Sequence, residues 1–223
     1  MGRFRNFLRE LLRLNIDYVL NAVTWRSPQW LFYYYHTLLI STDKPRLLTR
    51  SNPTYFLRFV TGDDMPLLRK FALREQAVAE HLAAGDRGVI MGKDDEIMSI
   101  IWGSSDKRYF KLSGAMLEPG NDGVIIYGGF TTEEARFKGL FPTSFHELYQ
   151  SYVNESRPRI YAAIHSTNTG SMKLHLRMGF EIVGETYFLV LFGLKICYYR
   201  KWPHDTRRLH IFVKAPPDKL GWV

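Results

Sequence analysis

A four-residue apolar run, Val124-Ile125-Ile126-Tyr127, ends on the pair Gly128-Gly129. An unbroken run of that kind reads as a strand buried on both faces, which only the interior of a sheet provides. Paired glycines weaken a strand, so at its end they mark a bulge or the close approach of another backbone or a ligand. The chain therefore has to build a covered sheet around this strand and interrupt it at one place. A loop, Thr131 to Lys138, follows, and Gly139-Leu140-Phe141-Pro142 opens a helix running to about Asn154. Proline suits a first helical turn, where its missing N–H has no intrahelical acceptor.

Flanking signals fill in the rest. Thr54 to Val60 alternates as a strand, and Pro66 starts a helix to about Gln76, with a second helix reaching Ala84 and stopping at Gly85. Gly88–Met91 and Glu96–Trp102 read as a hairpin, and Tyr109–Leu117 as a further strand. A strand over Arg159–His165 and a helix over Asn168–Met178 come next. A long hairpin then turns at Gly193, with arms Phe180–Phe192 and Leu194–Trp202. This succession predicts a mixed sheet with helices on both faces, in which ligands favour the carboxyl ends of strands beside helix N-termini.

Charge narrows the partners. The net charge is +8, but residues 1–50 hold eight basic and three acidic residues, and 195–223 hold seven and two. The middle, 51–194, holds fifteen basic and seventeen acidic residues, which excludes a nucleic-acid-binding domain there. The lone cysteine, Cys197, excludes an intramolecular disulfide framework and a multi-cysteine zinc site. No metal is expected.

The loop Thr131 to Pro142 carries Arg136, Lys138 and Gly139 between a buried strand and a helix. Free backbone N–H groups at the positive end of that helix suit a phosphate or pyrophosphate. Further on, Asn168 can cap the next helix, which Gly179-Phe180 terminates. Together, Arg136-Phe137-Lys138-Gly139-Leu140-Phe141 and Asn168 to Phe180 resemble the pyrophosphate loop and the following helix of the GNAT superfamily of N-acetyltransferases. The element order matches that family from Thr54 to about Trp202.

That resemblance implies an α/β (α+β) fold with a mostly antiparallel central sheet. It also implies acetyl-CoA, or another acyl-CoA, as co-substrate and direct attack of an amine on the thioester. Phe130, Thr131, Arg136, Phe137, Lys138, Gly139, Leu140, Phe141, Asn168 and Ser171 would then bind the cofactor, with the Phe130 amide polarising the thioester carbonyl. His175 stands where the family often has a thiolate-protonating tyrosine, and reads either as that acid or as an inert surface residue. Tyr127, Glu133, Glu134 and His165 are the candidate bases; His165 reads equally as a core histidine and the glutamates as solvated loop charges. Phe141 replaces a small residue of the family pattern, and Pro142 removes one amide donor.

Three segments follow from these readings: a basic amphipathic and aromatic N-terminal extension over 1–50, an acyltransferase-like domain over 51–203, and a basic tail over 204–223. In the extension, Phe4, Leu8, Leu11, Leu12, Val19 and Leu20 recur at helical spacing among Arg3, Arg5, Arg9 and Arg13, and an aromatic run, Trp30 to Tyr35, follows. Residues 1–40 read as a peripheral anchor on an anionic membrane surface or as a helix packing its apolar face on the domain or on a second copy. No stretch is long enough to span a bilayer, and arginines interrupt any secretory signal, so the expected place is cytoplasmic or on the inner membrane face. The acceptor would be a primary amine of a small molecule or envelope precursor. Aminoacyl-tRNA as the donor and a non-catalytic binding module are the rival readings.

Overall fold

The computed structural model describes residues 16–29, 31–46, 48, 54–71, 75–110 and 112–200, with backbone for Leu209–Phe212. Residues 16–26 form helix α1. Then come β1 (Phe32–Thr42), β2 (Phe56–Phe59), α2 (Met65–Leu68), α3 (Glu75–Ala83), β3 (Arg87–Lys93) and β4 (Glu96–Ser104). After β5 (Arg108–Phe110), β6 (Ala115–Leu117) and β7 (Gly123–Thr131), α4 (Leu140–Val153) leads to β8 (Arg159–His165) and α5 (Thr169–Arg177). The last strands are β9 (Glu181–Leu191), β10 (Leu194–Arg200) and β11 (Leu209–Phe212).

Among the described residues, nine strands join one sheet in the order β11-β10-β9-β1-β8-β7-β4-β3-β2, and of its pairings there only β7–β8 is parallel, the two being joined by α4, as a crossover requires. The hairpin β3–β4 turns on Asp94 and Asp95, both at positive φ, the mirror-image turn that matches strand twist. One face packs Ile40, Ile101, Ile126 and Ile160 beneath Phe145, Leu148 and Tyr152 of α4, with Met172 and Leu174 of α5 alongside. On the other face α2 and α3 lay Leu68 and Val78 against Ile90, Ile100 and Trp102. The predicted mixed sheet with helices on both faces is what forms.

Three expectations are corrected. The aromatic run is not an appendage: from Phe32 onward it is β1, which lies mid-sheet between β8 and β9. Leu39 and Ile40, both fully buried, enter the cores on opposite faces. A boundary at residue 50 would cut this strand from its sheet. The segment Tyr109–Leu117 is two short strands, β5 and β6, paired as a separate hairpin across a turn at Ser113-Gly114. Part of the basic tail, Leu209–Phe212, pairs with β10. The expectations placed on residues 1–15, Trp30, 201–208 and 213–223 lie outside the described residues.

Candidate active site

The interruption foreseen at Gly128-Gly129 forms. β7 follows β8 in register only from Gly123 to Ile126, opposite Arg159 to Ala162. β8 runs on to His165 along β1, while β7 slips register against β4 between Tyr127 and Phe130. The two strands therefore part beyond Ile126 and Ala162, leaving a gap in the middle of the sheet. Phe130 pairs with Ile100, and the Thr132 N–H donates to Met98 O at 2.9 Å. The alternation of an antiparallel ladder then turns the Phe130 N–H toward β4 and that of Thr131 toward the gap. The amide that faces the gap is thus that of Thr131, one residue after Phe130.

On one side of the gap stands the start of α4. Its N-cap is Gly139, in the left-handed region at φ +81, with open space within 4 Å of where a Cβ would sit. No side chain among the described residues caps this end, and the first N–H groups of a helix have no intrahelical acceptor. Arg136, Phe137 and Lys138 are exposed beside them, Arg136 lying 3.4 Å from Glu133. Glu133 is largely solvated, the commoner of its two expected fates. Phe141 does not cover the loop. Its ring turns toward Gly129, where a Cβ would meet Phe141 Cε2 at 2.7 Å, and stands edge-on to His175 at 5.5 Å. Asn168 Oδ1 accepts from the Ser171 N–H at 3.1 Å, so these two residues cap α5.

His175 is neither a surface residue nor a free acid. It is buried between Phe141 and Phe180, and its Nδ1–H donates to Ser171 O at 2.8 Å. Burial lowers its pKa, which keeps the ring neutral.

The opposite face presents His165, Tyr35 and Tyr127. The His165 ring stands edge-on to Tyr35 at 4.2 Å, a neighbour from β1 that no local motif announced. His165 Nδ1 lies 2.7 Å from Thr167 Oγ1, the shorter of its two contacts with that residue, and as the donor there it leaves the ring's lone pair on Nε2. Burial lowers its pKa, with His36 also lowering it and Asp17 opposing. In the cross-strand row His165–Thr37–Thr186, His165 Nε2, Thr37 Oγ1 and Thr186 Oγ1 are buried without a hydrogen-bond partner among the described residues. Of these, His165 Nε2 is on β8, the strand that borders the gap, where a polar occupant would satisfy it.

Tyr127 is tied down instead. Its hydroxyl donates to Asp86 Oδ2 at 2.7 Å. The same oxygen accepts from Arg108 and lies 3.0 Å from His81 Nδ1. The Arg108 guanidinium lies 3.9 Å over the Tyr127 ring. Burial, with Asp86 adding to it against Arg108, pushes the phenol far above its usual range. A phenol so held is a poor base, so of the candidate bases His165 is the neutral one beside the gap. Sequence reasoning missed the Asp86 cluster, although His81 and Asp86 flank Gly85, a helix stop visible in the sequence.

No family model matches the sequence, and no curated protein matches it. Solved structures do match the fold. A Novosphingobium aromaticivorans protein assigned to the GNAT acetyltransferase family is 14% identical with a TM-score of 0.52, over 69% of this chain and 62% of that one. A conserved Staphylococcus epidermidis protein of unknown function is 12% identical, TM-score 0.50, over 76% and 63%. A Drosophila protein is also 12% identical at 0.50, over 71% and 51%. The chain thus spans less than two thirds of each. At such identities the likeness is one of fold alone, a mixed sheet with helices on both faces.

Proposed function

We propose that the chain is an N-acyltransferase that moves an acyl group from acyl-coenzyme A to a primary amine. One observation carries this reading: β7 and β8 part beyond Ile126 and Ala162, directly after which the loop to α4 offers an uncapped helix N-terminus. A pyrophosphate fits that end, since it meets N–H groups of Gly139, Leu140 and Phe141, the positive pole of a fourteen-residue helix, and the cations Arg136 and Lys138. The gap lets an extended thioester arm lie along β7 and lets the amine approach from the face of His165 and Tyr35.

In the proposed reaction the neutral amine attacks the thioester carbonyl, the carbon–sulfur bond breaks, and the thiolate leaves and takes a proton. The Thr131 N–H is placed to stabilise the oxyanion. The attacking nitrogen must shed a proton. His165, kept neutral at pH 7 by burial, is placed to take it directly or through water. His175 positions Phe141 rather than supplying a proton.

Isothermal titration with CoA and acetyl-CoA tests the donor. Gly139→Glu places a carboxylate at the anion site and a side chain at φ +81, so binding should fall by about a hundredfold or more. Unchanged affinity would refute the loop assignment. Absence of CoA binding, with tRNA binding that falls steeply with salt, would move the donor to aminoacyl-tRNA.

A further inference from the structure

Helix α1 packs the opposite way from a helix that serves only its own domain. Its buried residues are polar: Asp17, Asn21 and Thr24. Asp17 Oδ1 accepts from the Tyr34 hydroxyl at 2.6 Å, and Asp17 Oδ2 lies 2.6 Å from His36 Nδ1. Thr24 Oγ1 accepts from the Tyr34 N–H at 2.9 Å. The outward face is apolar, with Trp25 86%, Val19 63%, Ile16 54%, Tyr18 52% and Val23 42% exposed. Hydrophobic burial would have turned that face inward. A second apolar group lies beside the end of α1: Phe192, 78% exposed at the β9–β10 turn, donates its N–H to Leu31 O, and Leu194 is exposed next to it.

We propose that this face of the molecule lies on an anionic lipid surface. Composition selects that occupant over a second copy of the chain. Residues 1–26 hold five arginines against Glu10 and Asp17, and Asp17 is already paired with His36. The exposed face of α1 carries Trp25 and Tyr18 with Val19 and Val23, and Arg26 is exposed at its end, the composition of a helix lying in the headgroup layer. A self-association surface has no use for the excess of positive charge. The protein would ride on the polar side of α1, which its hydrogen bonds to β1 hold in place. This surface is separate from the acyl-transfer site, and CoA binding does not bear on it.

Co-sedimentation of the full chain with phosphatidylcholine vesicles, with and without phosphatidylglycerol, tests the proposal. The chain should pellet with the anionic vesicles and be released as salt rises. Val19→Asp and Trp25→Ser change exposed side chains, so each should keep the melting temperature and weaken vesicle binding by about tenfold. Arg9→Gln and Arg13→Gln should each weaken it about fivefold. The proposal fails if anionic vesicles capture no more protein than neutral ones, or if both Val19→Asp and Trp25→Ser bind undiminished. It also fails if the chain is a dimer that Val19→Asp turns into a monomer while vesicles capture neither form. That result would assign the face to a second copy.

Discussion

The two halves of the sheet, on either side of the parting between β7 and β8, are assembled by opposite rules. In the half β2-β3-β4-β7 neighbouring strands follow one another along the chain, with only the separate β5–β6 hairpin intervening. Its buried charge centre is equally local: His81, Asp86, Arg108 and Tyr127 meet around a single carboxylate oxygen. In the half β8-β1-β9-β10-β11 a strand from the beginning of the chain is threaded between two from its end. There the charge centre joins distant segments, with Asp17 of α1, His36 of β1, and Glu185 and Tyr187 of β9 in contact. The second half requires the whole chain, so its network is what fastens the N-terminal segment in place. The proposed reaction occupies the seam between them.

Removing a charge from each centre should give unequal costs. Asp86→Asn leaves Arg108, almost fully buried, without its carboxylate, and its Nε and Nη1 already have no hydrogen-bond partner among the described residues. Breaking a buried pair from one side costs about 3–5 kcal/mol. Urea unfolding should show a loss of that size, the largest expected from any single exchange of this kind here. A loss below about 1 kcal/mol would mean that the cluster does not hold its half together.

A change at the seam itself should leave both halves standing and damage the chemistry. In Gly129→Ala the added methyl meets the Phe141 ring at 2.7 Å, so ring or strand must move. Displacement of that order costs about a hundredfold in turnover. Far-ultraviolet circular dichroism should be unchanged, and thiol release from acetyl-CoA should fall. Adding Phe141→Leu to the same chain should restore much of the rate. Without that rescue, the contact between Gly129 and Phe141 is not what shapes the gap.

The same contrast explains what the sequence discloses. The local half is readable because each strand is bounded by its own turn, and Gly128-Gly129 announces the gap. β8 and α5 are legible for the same reason, with Asn168 at a cap and Gly179 at a stop. β1 is hidden: buried on both faces, it loses the alternation that identifies a strand. Its partners lie far along the chain, where no spacing rule reaches them. Tyr35 beside His165 and Asp17 beside His36 are invisible for that reason. The docking of α1 does leave a trace. Asp17, Asn21 and Thr24 share a helical face opposite Ile16, Val19 and Val23, so a polar stripe suited to packing on β1 is written into the helix.

The smallest expected effect is the most specific to the long-range half. Burial alone would raise the Asp17 pKa, but the hydrogen bonds from His36 and Tyr34 hold it below its unfolded value of 3.8. Glu185, beside His36 and accepting from Tyr187, is held down to about 2 from 4.5. Burial alone would lower His36, yet its two carboxylate neighbours raise it above 6.5. The carboxylates thus contribute stability above their unfolded values, and it is lost as pH falls through the folded ones. The histidine contributes fully below 6.5, and this is lost as pH rises through its folded value. The network is therefore worth most between about pH 4.5 and 6.5. Asp17→Asn keeps the Glu185 partner of His36, so it should cost about 1–3 kcal/mol, less than Asp86→Asn. That cost should peak near pH 5.5 and shrink both toward pH 9 and toward pH 2.5. Urea unfolding of the two chains across this range reads it directly. A penalty that stays level or grows toward pH 9 would mean that Asp17 holds α1 through Tyr34 alone, with no contribution from the charge on His36.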